Sequence, residues 1–412
     1  MDESLQPTCS SSKEPLWLDK EYVEKIIQHY CNDQKVVIRN FIKNPATSKG
    51  ENYFSALYLL GVDYSTETDE ETVKNVSFIL KTRLENDLMS QLEEDFDVFA
   101  REAQYYTVIG EETQKLLDQI KDTTIFAPKA IYVDDRIIVM ENLKLKGFSI
   151  NDVKLGFNLN QCHLVLQKLA KFHAVSMVLY KKNPDMFRYH LPGNISEHPS
   201  PIHEMYTKAI KSTIEYCNSQ EELQKYVPKL ESFSTTIIAK MINVYSRSLS
   251  DRFHVLNHGD MWVNNLMFQE PNDEEVIFID FQEGFYGSPG IDWNYLMFTS
   301  WQADVFQTHL DDLIMVYHES LSDILHKLNY QQRIPTIDDV KKEIINKGFH
   351  GLATATCLLP ILINEHPELA DPENFVLETE EALKNRRIIF HNPKFGERLK
   401  VFLKYFEDIK IL

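Results

Sequence analysis

Apolar positions along the chain change period twice, and the changes divide it. Trp17, Val23, Ile26, Ile27 and Tyr30 recur at helical spacing from Leu16 onward, with Asp19 in the first turn, so a first helix is expected there. The period then shortens. Val36 to Ile42 is rich in β-formers, Tyr53 to Asp63 alternates, and Val73 to Thr82 (VKNVSFILKT) reads as a third strand. Ser65 to Glu71, between the last two, reads as an acidic, solvated turn. Leu92 to Ile109 has Phe96, Phe99, Ala103 and Tyr106 on one helical face, with Glu102 beside them. Two more strands, Ala130 to Val133 and Ile137 to Met140, follow around Asp134-Asp135.

Beyond residue 143 the pattern is helical almost throughout. Helices are expected over Leu159 to Leu179, His203 to Cys217, Leu230 to Leu249, Asp304 to Leu328, Ile337 to Lys347, His350 to Ile363, Thr379 to Ile389 and Phe395 to Phe406. A Pro- and Gly-bearing linker, Arg188 to Pro201, separates the first two. Their Leu and aromatic stripes read as core. Two short strands, Leu266 to Phe268 and Val276 to Ile279, interrupt the series around a polar turn. Residues 1 to 15 are polar, Ser-rich and expected to be loose.

Composition narrows the class. With 412 residues and 43% apolar content, the chain can bury the cores of two lobes around a shared cleft. A formal charge of −19 disfavours nucleic acid and anionic membrane surfaces as partners. The five cysteines are odd in number and lack C-x-x-C spacing, which suggests free thiols in a reducing compartment. The N-terminus has no basic start or apolar run of a secretory signal, and Leu352 to Ile363 is too short, and broken by Pro360, to span a bilayer. A cytoplasmic protein is expected, and the sequons at Asn75 and Asn194 carry little weight.

The chemistry concentrates between Val255 and Trp293. His258, Asp260, Asn265 and Asp280 are all types that handle protons or hard cations, and the spacing of Asp260 and Asn265 matches the loop H-R-D-x-x-x-x-N. Pairing the two short strands brings Asn265, at the start of one, near Asp280, at the end of the other. Magnesium takes oxygen ligands and often only one or two carboxylates, which this pair can supply. Asp260, on the preceding loop, could orient a substrate hydroxyl. Each carboxylate alone reads as a loop residue; the set reads as a phosphoryl-transfer site. Zinc fits less well, because His254 is the only other histidine near. Asp292 could cap the following helix or brace the loop. His173 is most simply a hydrogen-bonded core histidine.

The strands upstream offer a complement. Lys81 sits in an apolar strand, where its charge must be met, and Glu102 on the next helix can meet it. The turn containing Gly50 and Asn52 could lay backbone amides over nucleotide phosphates, although a single glycine also suits an ordinary hairpin. Met140-Glu141-Asn142-Leu143 stands where a two-lobed kinase crosses between lobes and faces the adenine ring.

On these residues the chain resembles the ecdysteroid kinase-like family of invertebrates, relatives of the aminoglycoside and choline kinases. The resemblance rests on GENYFS (50–55), FILKT (78–82), FAREAQYY (99–106), LAKFHAVSM (169–177), VLNHGDMWVNNLMF (255–268), FIDFQ (278–282) and YGSPGIDWNYLMFTS (286–300). It covers nearly everything after residue 15. What it implies is an α+β, two-lobed, protein-kinase-like fold. The small, mostly antiparallel β N-lobe with a helix would span 16–142, and the larger helical C-lobe 143–412. The implied activity is transfer of the ATP γ-phosphate to a hydroxyl on a small molecule. By position, Lys81 and Glu102 would form the phosphate-positioning pair, with Gly50, Asn52, Ser55, Met140, Glu141 and Leu143 completing the nucleotide site. Asp260 would be the catalytic base, and Asn265 and Asp280 the Mg2+ ligands. In place of the family's hinge acid stands Asn142, and in place of its leucine after Asp292 stands Trp293.

Three functions compete at this stage. One is a kinase for a hydroxylated, rather apolar acceptor such as an ecdysteroid. Another is a kinase for a choline-, ethanolamine- or aminoglycoside-like amine alcohol, which the acidic balance also suits. The third is a non-catalytic small-molecule carrier, which the intact Lys81, Asp260, Asn265 and Asp280 disfavour.

Overall fold

A computed structural model describes residues 17–46, 55–67, 69–83, 97–191, 193–195, 197–248, 250–369 and 371–412. The N-terminal segment expected to be loose, residues 1–15, lies outside them, as do Gly50, Asn52 and the start of the helix expected from Leu92. The first helix, α1 (Lys20–Cys31), opens where the Asp19 carboxylate accepts from the Tyr22 amide at 2.9 Å. It closes on Asn32, whose φ of 50° is left-handed.

Five strands follow: β1 (Val36–Pro45), β2 (Ser55–Thr66), β3 (Asp69–Arg83), β4 (Ala130–Val133) and β5 (Ile137–Glu141). They make one antiparallel sheet in the order β1-β2-β3-β5-β4, with β3 in the middle. Alternation along β3 sends Phe78 and Leu80 into a core shared with Val23, Ile26 and Ile27 of α1. Ile79 and Lys81 therefore face the other way, and Ile79 packs on the core of the large lobe. The turn expected over Ser65 to Glu71 is much tighter. Ser65 and Thr66 are buried, β2 runs through Thr66, and β3 resumes at Asp69. Long strand pairing absorbs residues whose polarity alone suggested a loop.

The helix α2 (Val98–Gln104) lies against the turn after Asp280 and passes into a π turn, Tyr105–Ile109, before α3 (Gly110–Gln119). The wider turn stacks the Tyr105 ring on Phe281 at 3.7 Å.

The large lobe holds β6 (Phe148–Ile150), α4 (Leu159–Lys182), α5 (Pro201–Ser219), α6 (Val227–Ser234), α7 (Ile237–Tyr245), β7 (Val255–Asn257), β8 (Leu266–Gln269), β9 (Val276–Phe278), β10 (Phe285–Gly287) and α8 (Gly290–Ser300). After these come α9 (Ala303–Lys327), α10 (Ile337–Asn346), α11 (Gly348–Ala353), α12 (Leu359–Leu362), α13 (Glu373–Val376), α14 (Glu380–Phe390) and α15 (Pro393–Asp408). The stretch expected as one helix from Leu230 to Leu249 breaks between α6 and α7. There the Thr235 and Thr236 hydroxyls donate to the Ser232 and Phe233 carbonyls, competing with the helical ladder. A π turn, Thr354–Leu358, interrupts the helix expected from His350 to Ile363. The remaining helices fall where the periodicity puts them.

Two small sheets deliver the central loops: β7 pairs with β10, and β8 sits between β6 and β9, all antiparallel. Behind them α8 is buried along its whole length, and its polar side chains Asp292, Asn294 and Thr299 are hydrogen-bonded inside the core. The layout is the α+β, two-lobed, protein-kinase-like one: an antiparallel sheet lobe with its helix, and a larger helical lobe. Among the described residues no helix is long and apolar enough to cross a membrane.

Candidate active site

The loop carrying Asp260 is held from beneath. The carboxylate of Asp292 accepts from the His258 amide at 2.7 Å and from the Gly259 amide at 2.8 Å. Because α8 begins at Gly290, Asp292 lies inside the first turn rather than at its cap, and it braces the loop. His173 adds a third donor, its Nε2 lying 3.1 Å from Asp292, while its Nδ1 faces the Tyr317 hydroxyl at 2.6 Å. Burial lowers the His173 pKa below the usual imidazole range, so the ring stays neutral. The carboxylate then requires the proton on Nε2, and Tyr317 donates to Nδ1. His173 is thus a core residue, as expected, and it positions the brace.

Gly259 is required on two counts. Its φ is +86°, and a Cβ there would meet the Glu283 carbonyl oxygen at 2.0 Å. The Asp260 loop and the turn after β9 therefore touch backbone to backbone.

Asn265 completes the loop. Its Nδ2 donates to the Asp260 carboxylate at 2.7 Å and to the Asp260 carbonyl at 2.9 Å, which fixes the amide. Trp262 Nε1 donates to the same carboxylate at 3.3 Å, and the Tyr295 hydroxyl also bonds it. Burial, and next the charge of Asp280, push the Asp260 pKa above the usual carboxylate range. His258 is spent on backbone: Nε2 donates to the Ile279 carbonyl at 2.9 Å and Nδ1 accepts from the Asp260 amide at 3.4 Å. Neither ring nitrogen is left for a metal, which removes the zinc alternative.

Asp280 follows β9 with a φ of 68°, and its Oδ1 lies 2.7 Å from Lys81 Nζ. Lys81, 2% exposed, is clamped between Asp280 and Glu102 of α2. Burial alone would lower its pKa, but the two carboxylates outweigh burial and hold it above the usual lysine range. Burial pushes Glu102 up to about 7, with Lys81 opposing.

The other nucleotide-site residues are placed as follows. Ser55 opens β2 opposite Arg83, with its hydroxyl buried and unpartnered among the described residues. Met140 is buried on β5. Glu141 accepts from the Lys129 amide at 2.8 Å and pairs with Lys146. Leu143 is buried in the turn that Asn142 caps by accepting from the Lys144 amide at 3.1 Å.

A cavity of about 220 Å³ opens directly on Asp260, Asn265 and Asp280. Its catalytic end also carries Glu283, Gln282, Asn194 and Tyr206, which the sequence reading passed over. Glu283 stands three residues after Asp280 in FIDFQE, a spacing that could have drawn notice. Asn194 was visible only as a sequon, yet its side chain is buried and bonded to Arg101. The far wall is apolar: Ile202 and Met205 of α5, Leu358, Ile361 and Leu362 around α12, and Phe375 of α13.

Charge and open acceptors bear on a cation. Among the described residues, the carboxylates of Asp260, Asp280, Glu102 and Glu283 act on the cations of Lys81 and Arg101, a surplus of two negative charges when all are ionised. Asn265 Oδ1 and Asp280 Oδ2 take no hydrogen bond among the described residues, whereas Asn265 Nδ2 and Asp280 Oδ1 do. Among the described residues no group of three or more His, Cys, Asp or Glu forms a metal cage. Two hard oxygens and unbalanced negative charge are nonetheless the donor set that magnesium accepts.

A buried strand lysine clamped by a helix glutamate, facing an Asp–Asn loop, defines the kinase-like class of small-molecule phosphotransferases. Within it the chain belongs to the ecdysteroid kinase-like family, whose model matches residues 49–330. No curated protein sequence matches the chain. Among solved structures, an ethanolamine kinase from Plasmodium vivax is similar at 14% identity and a TM-score of 0.41, over 92% of this chain and 89% of that one. A macrolide 2'-phosphotransferase from Brachybacterium faecium is similar at 11% identity and 0.37, over 87% and 98%. An aminoglycoside phosphotransferase from Streptomyces rimosus, in complex with ADP and streptomycin, is similar at 12% identity and 0.28, over 75% and 92%. At such scores these likenesses add nothing to the family assignment, which stands on the sequence match.

Proposed function

We propose that the protein is an ATP-dependent kinase that transfers the γ-phosphoryl group to a hydroxyl of an apolar small molecule, an ecdysteroid or a compound like it. The observation that carries this reading is the cavity itself, which joins Asp260, Asn265, Asp280 and their polar neighbours to an apolar wall of Ile202, Met205, Leu358, Ile361, Leu362 and Phe375. Asp260 accepts a hydrogen bond from the acceptor hydroxyl, orients it and takes its proton; burial keeps that carboxylate more basic than usual. Lys81, steered by Glu102, holds nucleotide phosphate oxygens, and Gly50, Asn52 and Ser55 are assigned to the same phosphates. Met140, Glu141 and Leu143 border the adenine. Asn265 Oδ1 and Asp280 would hold Mg2+, which neutralises phosphate charge when bound. Free cysteines at Cys31, Cys162, Cys217 and Cys357 suit a cytoplasmic location.

A second reading has support of its own. Tyr206, Tyr245, Tyr295 and Trp262 line the cavity near Glu283, a ring of aromatic faces that a cationic amine alcohol could use. The apolar far wall favours the first reading, since a small amine alcohol would leave it unfilled. The test supplies Mg-ATP with ecdysteroids, amine alcohols and hydroxylated xenobiotics and reads products by mass spectrometry. An added phosphate on an apolar alcohol, lost in Asp260→Ala, is the expected result. Ligand-dependent melting shifts with no phosphate gained on any compound would leave a carrier and overturn the kinase reading.

A further inference from the structure

We propose that Arg101 is a positioning residue that ties the helix carrying Glu102 to the wall of the acceptor cavity, so that the grip of Lys81 on nucleotide depends on Asn194, a residue of the acceptor end. This role rests on the kinase reading above and deepens it.

Arg101 and Glu102 are neighbours on α2, both fully buried, and they reach different partners. Glu102 pairs with Lys81. The Arg101 Nη1 donates to Asn194 Oδ1 and lies 3.4 Å from the Gly284 carbonyl. Asn194 passes the contact on, its Nδ2 donating to the Glu283 carbonyl at 3.0 Å. Gly259, one residue before Asp260, packs on that same oxygen. A continuous run of contacts therefore joins the pair that holds nucleotide to the loop that orients the acceptor. Asn194 lines the cavity and Lys81 does not, so the run crosses from one site to the other.

Packing alone does not call for an arginine here. Burial lowers the Arg101 pKa, and the Glu283 charge opposes that shift without cancelling it. Replacing a buried ion by hydrocarbon of similar volume is often neutral or stabilising. Fastening α2 does not require the charge either, since Tyr105, just after the helix, already stacks on Phe281 at 3.7 Å. What the guanidinium adds is direction. Its planar donors meet a side-chain amide at residue 194 and a main-chain carbonyl at residue 284, from two separate segments. His190 packs against Gly284, and burial together with the Arg101 charge lowers its pKa to about 3, so its ring adds no second cation there.

The test is a double-mutant cycle read on nucleotide binding. Calorimetry gives Kd for the magnesium complex of the β,γ-imido analogue of ATP, with the full chain and no acceptor. Arg101→Met should weaken binding roughly 10-fold, and Asn194→Ala, on the acceptor side, roughly five-fold. The double variant should bind no more weakly than Arg101→Met alone, because the two side chains act through one contact. In Glu102→Gln, where the grip on Lys81 is already loosened, Asn194→Ala should cost less than about two-fold, which general loosening of the fold would not produce. Should Arg101→Met not fold, Arg101→Lys, which keeps the charge without the planar fork, takes its place in the cycle with the same non-additivity expected. Three results would each overturn the proposal and leave the kinase reading intact: losses that multiply in the double variant, an Asn194→Ala protein that binds the analogue as wild type does, or an undiminished cost of Asn194→Ala in Glu102→Gln. A wild-type chain that does not bind the analogue would overturn both.

Discussion

The two ends of the cavity are built in opposite ways. The catalytic end is polar and short-range: Asp260, Asn265, Asp280 and Glu283 come from one stretch of chain, with Lys81 and Glu102 added from the small lobe. The side chains of Asp260, Asn265, Asp280 and Lys81 are held by named hydrogen bonds. The far end is apolar and assembled from α5, α12 and α13, which are distant in sequence, and only packing fixes it. Most of that wall, from Leu358 to Val376, lies beyond the residues that match the family. The chemistry and the choice of acceptor are therefore separable, and only the first comes with family membership.

The largest effect should come from the polar end. Asp260→Asn keeps shape and size but removes the proton acceptor, and kcat should fall by roughly 10²- to 10⁴-fold. The melting temperature should stay near wild type, since the site is a cavity wall rather than core. A turnover loss of only a few-fold would mean that Asp260 does not orient the acceptor.

Next in size is the brace. Asp292 is fully buried and accepts from the amides of His258 and Gly259 and from His173. Asp292→Ala leaves three buried donors without an acceptor, and stability should drop by about 3 kcal/mol or more, read by denaturant unfolding. A variant as stable as wild type would show that the loop holds itself.

The contrast also explains what the sequence made legible. Lys81 stood out because a lysine in an apolar strand must find a counter-charge, and Glu102 was the acid on the next helix. Asp260, Asn265 and Asp280 were readable because their spacing along two short strands is itself geometric information. Glu283 and Arg101 were not, because an acid in a loop and an arginine on a helix usually face water; only the fold buries them. The acceptor wall was hidden for a different reason. Leu358, Ile361 and Phe375 lie in apolar segments like any other, and nothing in a helical stripe says whether its partner is another helix or a ligand. The break at Thr235-Thr236 and the π turn at Thr354–Leu358 were missed because both depend on hydrogen bonding that periodicity does not report.

A pH experiment probes the packing under the cavity. His350 sits beneath Tyr295 with ring centroids 5.9 Å apart, and burial depresses its pKa to about 4. The unfolded chain would protonate it near pH 6.5, so below that value the unfolded state binds the extra proton and stability is lost as pH falls toward 4. Glu102 and Glu283, both raised to about 7 chiefly by burial, slope the other way over much of the same window. The informative quantity is thus the difference between variant and wild type. His350→Gln should remove an acid-side loss on the order of 3 kcal/mol between pH 6.5 and 4. Parallel stability curves for the two proteins would place a charged, solvated imidazole at this position.

The smallest expected effect bears most directly on the comparison. Trimming the apolar wall with Leu358→Val or Phe375→Leu removes one to a few carbons from the cavity lining. One methylene in an apolar pocket is worth roughly 10-fold or somewhat more in discrimination. KM for an apolar acceptor should rise by about that factor, while KM for ATP should stay within about two-fold. Both residues line the cavity, whereas Lys81 does not, so a change confined to the acceptor is what separable ends require. If instead both KM values rose together, the wall and the catalytic end would be a single packed unit, and acceptor preference could not be altered without disturbing the chemistry.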